Sequence, residues 1–250
     1  MSQERKYIYG IAEEPQCKKF SFAGVGGAEV YTINYENLAA AVSDTDLVEI
    51  DPTRKNVRAH TIVQDELLRD YTLLPMGFGV MASGEGEVLG LLQKNYQALA
   101  SELTRLAGKI QVELKVFWDP EAVTRQLQSE NEEFAKLKAR ISAASSPDET
   151  RSLLIEAGKL VEGIAFDWKT RYADRVYTIL KDMALDARLN NTIGIKNLLN
   201  ASFLIDRSKE KEFQKEVYKL DGKYQGNVNF KYVGPLAPYS FVNLKLEPVD

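Results

Sequence analysis

The sequence predicts an α+β protein of two domains. The first is an N-terminal ferredoxin-like sandwich; the second is a modified ferredoxin-like unit carrying a long antiparallel helical hairpin of coiled-coil character. Three observations predict it. Strand and helix patterns alternate over the first 119 residues, apolar residues recur every three or four positions from Leu154 to Met183, and a helix-then-strand pair closes both halves.

Within residues 1–119, Tyr7 to Ala12 is an apolar run closed by Glu13-Glu14-Pro15 and reads as a strand. Gly24-Val25-Gly26-Gly27 is a turn before a second strand around Glu29 to Tyr35, and Leu38 to Val42 extends that sheet. Asn56 to Tyr71 is helical, with Val57, Ile62, Leu67 and Leu68 on its apolar side. Leu73 to Met81 is a strand ended by Ser83-Gly84-Glu85-Gly86. Val88 to Leu106 reads as one long amphipathic helix with Gly108 at its C-cap. Ile110, Val112, Leu114, Val116 and Trp118 then alternate as a strand, giving the order β-β-α-β-α-β.

Asp119-Pro120-Glu121 opens the second domain, 120–250, as N-cap and first-turn proline. Residues 120–190 are the hairpin. A helix from Glu121 to Ile141 turns Val123, Leu127, Phe134, Leu137 and Ile141 to one side, and residues 142–146 link it to the capping box Ser146-Pro147-Asp148-Glu149. The following helix steps through Leu154, Ala157, Val161, Ile164, Trp168, Tyr172, Val176, Ile179 and Met183 for about eight turns of 3.6 residues. Residues 195–250 form a small α+β unit: a strand from Leu198 to Ile205, a helix from Arg207 to about Tyr224, and two strands over Val228 to Leu246 broken at Gly234-Pro235-Leu236-Ala237-Pro238. The likeness of 107–116 to 225–233 fits a diverged duplication and a shared helix-to-strand junction equally well.

A chain of 250 residues with 44% hydrophobic and 27% charged residues supports a proper core and excludes global disorder. Residues 1–119 carry a net charge of −5 and residues 120–250 of +1, so neither half offers a nucleic-acid footprint. No apolar run reaches the ~18 residues of a membrane span. The N-terminus shows no signal-peptide pattern, and the single Cys17 fits a reducing interior, so the expected compartment is the cytoplasm.

Chemistry-bearing patterns are sparse. The one histidine, His60, shares a helix with Gln64 and has no second histidine one turn away. Cys17 sits among Gln16, Lys18 and Lys19 with no histidine nearby in sequence, and Asp44/Asp46 and Asp182/Asp186 are spaced as solvated carboxylates. Gly84-Glu85-Gly86-Glu87-Val88-Leu89-Gly90 stands where a phosphate loop would, but its carboxylates suit a helix N-terminus and repel phosphate. The sequence therefore assigns no catalytic residue, metal or cofactor.

Five segments, in order, resemble the gas vesicle protein F/L family. They are Tyr7-Ile8-Tyr9-Gly10-Ile11, Leu74-Pro75-Met76-Gly77-Phe78-Gly79, Val112 to Asp119, Asn200 to Arg207, and the closing Gly234-Pro235-Leu236-Ala237-Pro238-Tyr239-Ser240-Phe241-Val242. The last is similar to a family signature of Gly-Pro-Trp-Pro-Pro-Tyr-Ser-Phe. Gly77 stands where the family pattern has arginine, and Leu236-Ala237 replaces its Trp-Pro; the compact form and the loss of that tryptophan favour the F branch mildly. The resemblance implies a non-enzymatic accessory or minor component of the gas vesicle, a shell within the cytoplasm. Its implied partners are the small hydrophobic shell protein (GvpA-type) and other accessory vesicle proteins, with no nucleic acid and no lipid membrane. Candidate contacts are Tyr232, Pro235, Pro238, Tyr239 and Phe241. A second reading puts these aromatics in the C-terminal core, since Phe241 and Val242 face opposite sides of a strand. The alternative function is a ligand-sensing α+β module.

Overall fold

The computed structural model describes residues 4–119, 121, 127, 132–194, 196–224 and 228–247. Its contacts resolve into two compact units, Met1–Gln111 with Pro235–Asp250, and Val112–Gly234. The chain's end groups with the first unit.

The first unit is built on an antiparallel sheet in the order β2-β3-β4-β1-β5, from strands β1 (Arg5–Glu13), β2 (Lys19–Ala23), β3 (Glu29–Tyr35), β4 (Leu38–Thr45) and β5 (Leu73–Pro75); β6 (Met81–Ala82) also pairs with β1. Every residue of β1 from Lys6 to Ala12 is buried. Successive side chains point to opposite faces, so burial without alternation means both faces are covered, which explains the continuous apolar run. The register shifts at Tyr9: Ile8 pairs with Val42 and Gly10 with Ala41. Such a bulge re-aims side chains, and here the rings of Tyr7 and Tyr9 lie 5.0 Å apart in one core cluster with Ala12. Gly10 has no room for a side chain, since a Cβ there would lie 2.7 Å from Leu73 Cδ1.

Helix α1 (Arg54–Asp70) starts at Thr53, whose hydroxyl accepts the Asn56 N–H at 3.2 Å. Its buried side holds His60, Val63, Gln64, Leu67 and Leu68, whereas Val57 and Ile62, expected there, are 39% and 42% exposed. The expected Leu73–Met81 strand is interrupted between β5 and β6, where Gly79 takes φ 86°. β2 was not apparent among the charges of Gln16 to Lys19; its Phe20 and Phe22 stack at 5.0 Å.

The single helix expected over 88–106 is two, α2 (Glu85–Lys94) and α3 (Tyr96–Leu106), parted at Asn95 with φ −104°, ψ 12°. Its side chain donates to Leu91 O at 2.9 Å, the local competition that ends helices. The strand expected over Val242–Leu246 does not form. After a single 3₁₀ turn, Tyr239–Phe241, the chain to Glu247 carries no regular secondary structure.

The second unit holds a four-stranded sheet in the order β10-β7-β9-β8, from β7 (Lys109–Trp118), β8 (Asp186–Leu189), β9 (Asn197–Asp206) and β10 (Val228–Leu236). In chain order that is fourth-first-third-second. β8 and β9 pair antiparallel, Asp186 opposite Leu204 and Leu189 opposite Ala201. β8 was missed in sequence because four residues at a sheet edge carry no alternation. α7 (Glu210–Lys223) buries Phe213, Val217 and Leu220, and Phe213 meets Phe203 of β9 at 5.4 Å.

The hairpin pairs α4 (Glu132–Ala143) with α5 (Pro147–Trp168), burying Leu137 and Leu153. Ser146 Oγ accepts the Glu149 N–H at 3.2 Å, and Glu149 reaches back to the Ser145 N–H at 3.2 Å rather than to Ser146. The helix expected to run unbroken to Met183 passes through a π segment, Lys169–Ala173, before α6 (Asp174–Asp182). The Pro120 start signal, Val123 of the first hairpin helix, and the Ile164 and Trp168 side chains lie outside what is described.

Candidate recognition site at the C-terminal strap

The first unit contains a hydrogen-bonded aromatic cluster that fastens the chain's end. His60 on α1 is 3% exposed. Its Nε2 lies 3.2 Å from Met76 O, and a carbonyl can only accept, so Nε2 carries the proton and Nδ1 accepts from Tyr7 Oη at 2.9 Å. Tyr7 Oη in turn accepts the Gly79 N–H at 3.1 Å. One turn along α1, Gln64 Nε2 donates to Tyr9 O at 2.8 Å and Met76 O at 2.9 Å, while its Oε1 accepts from the Tyr239 hydroxyl. Tyr239 Oη is also 3.4 Å from His60 Nε2. Tyr9 Oη meets Ser43 Oγ at 2.8 Å and accepts the Val25 N–H at 2.8 Å; a Cβ on Gly24 would strike that hydroxyl.

Burial sets the electrostatics. It pushes the Tyr7 and Tyr239 hydroxyls up to about 12 and raises Tyr9 as well. It also lowers His60, partly offset by the bond to Met76. Folding thus favours the neutral imidazole, and unfolding takes up a proton below the free value. We therefore expect stability to be full above about pH 6.5 and to decline as the pH falls from there toward the lowered native value. The urea midpoint should drop over that window in the native chain, and the drop should shrink in His60→Gln.

The five sequence-predicted contacts fall in different settings. Tyr232 lies on β10 in the second unit, half-buried. Its hydroxyl is buried with no hydrogen-bond partner among the described residues and is pushed up to about 12, first by burial. Pro235 is exposed at the end of β10, and Pro238 is buried. Tyr239 turns its hydroxyl inward while the residue stays 44% exposed, and Phe241 is fully buried at 0%. Pro238, Tyr239 and Phe241 share the strap. Sequence reasoning missed the groups that hold it: Gln64, Asn95, Glu102, Arg105 and Gln111. Only the His60/Gln64 spacing, one helical turn, was visible beforehand. Cys17 is exposed, and no cluster of three or more metal-ligating side chains occurs among the described residues. No described helix is long and apolar enough to cross a membrane.

The α+β fold of this chain is shared with solved gas vesicle proteins. The crystal structure of GvpF from Anabaena sp. matches with a TM-score of 0.77 at 24% identity, over 97% of this chain and 99% of that one; GvpF from Microcystis aeruginosa matches at 0.74 and 22%, over 96% and 99%. The family described as gas vesicle synthesis protein GvpL/GvpF matches residues 5–243, and the chain belongs to that family. Among its relatives are gas vesicle protein F1 of Halobacterium salinarum, 25% identical over 97% of this chain and 95% of the relative, and gas vesicle protein L of a Streptomyces species, 29% identical over 90% and 88%.

Proposed function

We propose that this chain is an accessory or minor structural protein of gas vesicles, of the F branch. In this reading it binds the small hydrophobic shell protein in the cytoplasm, assists nucleation and assembly, and is not an enzyme. Membership of the GvpL/GvpF family across residues 5–243 is the observation that carries the reading. The physical need is clear: a subunit that presents an apolar face to gas aggregates in water unless a partner covers that face. Strand addition and helix docking are two ways to cover it. Two features here support such a role. Tyr239 presents a half-exposed ring on a hydroxyl fixed from below, and α5 exposes Leu154, Ile155 and Phe166 at 55%, 54% and 71%. In the proposed contact set of Tyr232, Pro235, Pro238, Tyr239 and Phe241, Pro235 and Tyr239 offer surface, and Phe241 supports it from the core.

We read the second unit as modified ferredoxin-like because its β-α-β-β-α-β sequence takes the spatial order fourth-first-third-second. The first unit is read as a variant of the same type, and the hairpin as coiled-coil in character, centred on Leu137 and Leu153. The ligand-sensing alternative has one observation in its favour, an open groove of about 400 Å³ lined by Tyr35, Glu36, Lys94, Tyr96 and Lys245.

Co-sedimentation with the free shell protein and with urea-washed vesicles tests the reading. Binding to the free protein alone identifies an assembly chaperone, and retention on washed vesicles a wall component. Binding to neither overturns the proposal and favours ligand sensing.

A further inference from the structure

Side chains bind the strap's main chain at intervals along its length. Gln111 Oε1 accepts the Ser240 N–H at 2.8 Å, Arg105 donates to Phe241 O at 2.5 Å, and Glu102 Oε1 accepts the Asn243 N–H at 2.8 Å. Asn95 grips Glu247 twice, accepting its N–H at 2.8 Å and donating to its carbonyl at 3.2 Å. Gln111, Asn95 and Glu102 are only 1%, 5% and 9% exposed. Buried polar groups are costly without partners, and these three reach partners on one irregular stretch of backbone. Together they form a receptor for an extended main chain, with Phe241 as its apolar anchor.

Val242, Leu244 and Leu246 alternate with polar residues as a strand would, yet they form none. Upstream, Pro235 and Pro238 stiffen the link and remove two backbone donors.

We propose that this groove also accepts residues 237–247 of a second copy of the chain, exchanging the strap held within the chain for one supplied by its neighbour. Exchange keeps every bond named above and buries the same Phe241, so it costs association entropy rather than contacts. The covalent link gives the chain's own strap a high effective concentration. The closed form therefore dominates in dilute solution, and exchange grows where copies are concentrated. This inference does not rest on shell binding.

Lys94 Nζ and Glu247 Oε2 are 3.9 Å apart across the groove, with side chains 39% and 71% exposed. Two single-cysteine chains, Lys94→Cys and Glu247→Cys, each also Cys17→Ser, are mixed, incubated at high concentration and treated with a short bismaleimide. Exchange predicts a covalent heterodimer whose yield rises with concentration and exceeds by several-fold that of Lys94→Cys/Cys17→Ser mixed with the native chain, whose only thiol is the exposed Cys17. A double variant, Lys94→Cys/Glu247→Cys on Cys17→Ser, should close within one chain and shows that the reagent spans the pair. Heterodimer at the collision background overturns the proposal, as does strictly monomeric light scattering of the native chain at every concentration reached.

Discussion

Replacing Phe241 with alanine should destabilise the first unit by about 3–5 kcal/mol, the cost of removing a buried aromatic ring and leaving a cavity. The side chain is 0% exposed, and its own carbonyl is tied to Arg105. At about 2–4 °C per kcal/mol for a chain of this size, the melting temperature falls by roughly 6–20 °C. Tyr239→Ala should cost less, about 1–2 kcal/mol, because its ring is already half in water, so the hydroxyl contacts are lost with only part of a ring's burial. Thermal melts of the two variants side by side check this. Equal losses would mean that Tyr239 belongs to the core as fully as Phe241 does.

Gln64→Met should be the next most damaging change, at about 2–3 kcal/mol despite its nearly conserved volume. Methionine fills the space but donates nothing, so Met76 O loses one donor, Tyr9 O keeps the Met76 N–H at 3.0 Å, and the Tyr239 hydroxyl loses its Gln64 acceptor while keeping Met76 O at 3.2 Å. Buried groups deprived of partners cost about 1–3 kcal/mol each, and those with a surviving partner cost less. Urea unfolding measures the change. Combining Gln64→Met with Tyr239→Phe should give less than the sum of the two, because both remove one shared bond.

Much of the fold was legible in the sequence because local pattern and tertiary environment agree there. β1, β3, β4, β7 and β9 all sit where apolar runs or alternation placed them. Expectation and structure part where distant residues decide. Asn95 splits a helix of good periodicity while its side chain serves Glu247, 152 positions away. The segment after Phe241 has a strand's pattern but satisfies its backbone with Glu102 and Asn95, whose sequence context gives no hint of that task. His60 and Gln64 looked like ordinary helix residues; Tyr7 and Tyr9, two positions apart and so on one face of β1, meet His60 through a tertiary contact that the pattern of α1 alone does not show. The strap's aromatics were visible at once, but which faces water and which is core depended on the missing strand.

The most direct test of the account is co-sedimentation of the small shell protein with the native chain and with Tyr239→Ala, each shown to be folded at the assay temperature. The native chain should carry the shell protein down, and Tyr239→Ala should lose most of it while remaining folded. Undiminished binding by Tyr239→Ala would contradict the placement of the contact at the strap, and no binding by the native chain would contradict the function itself.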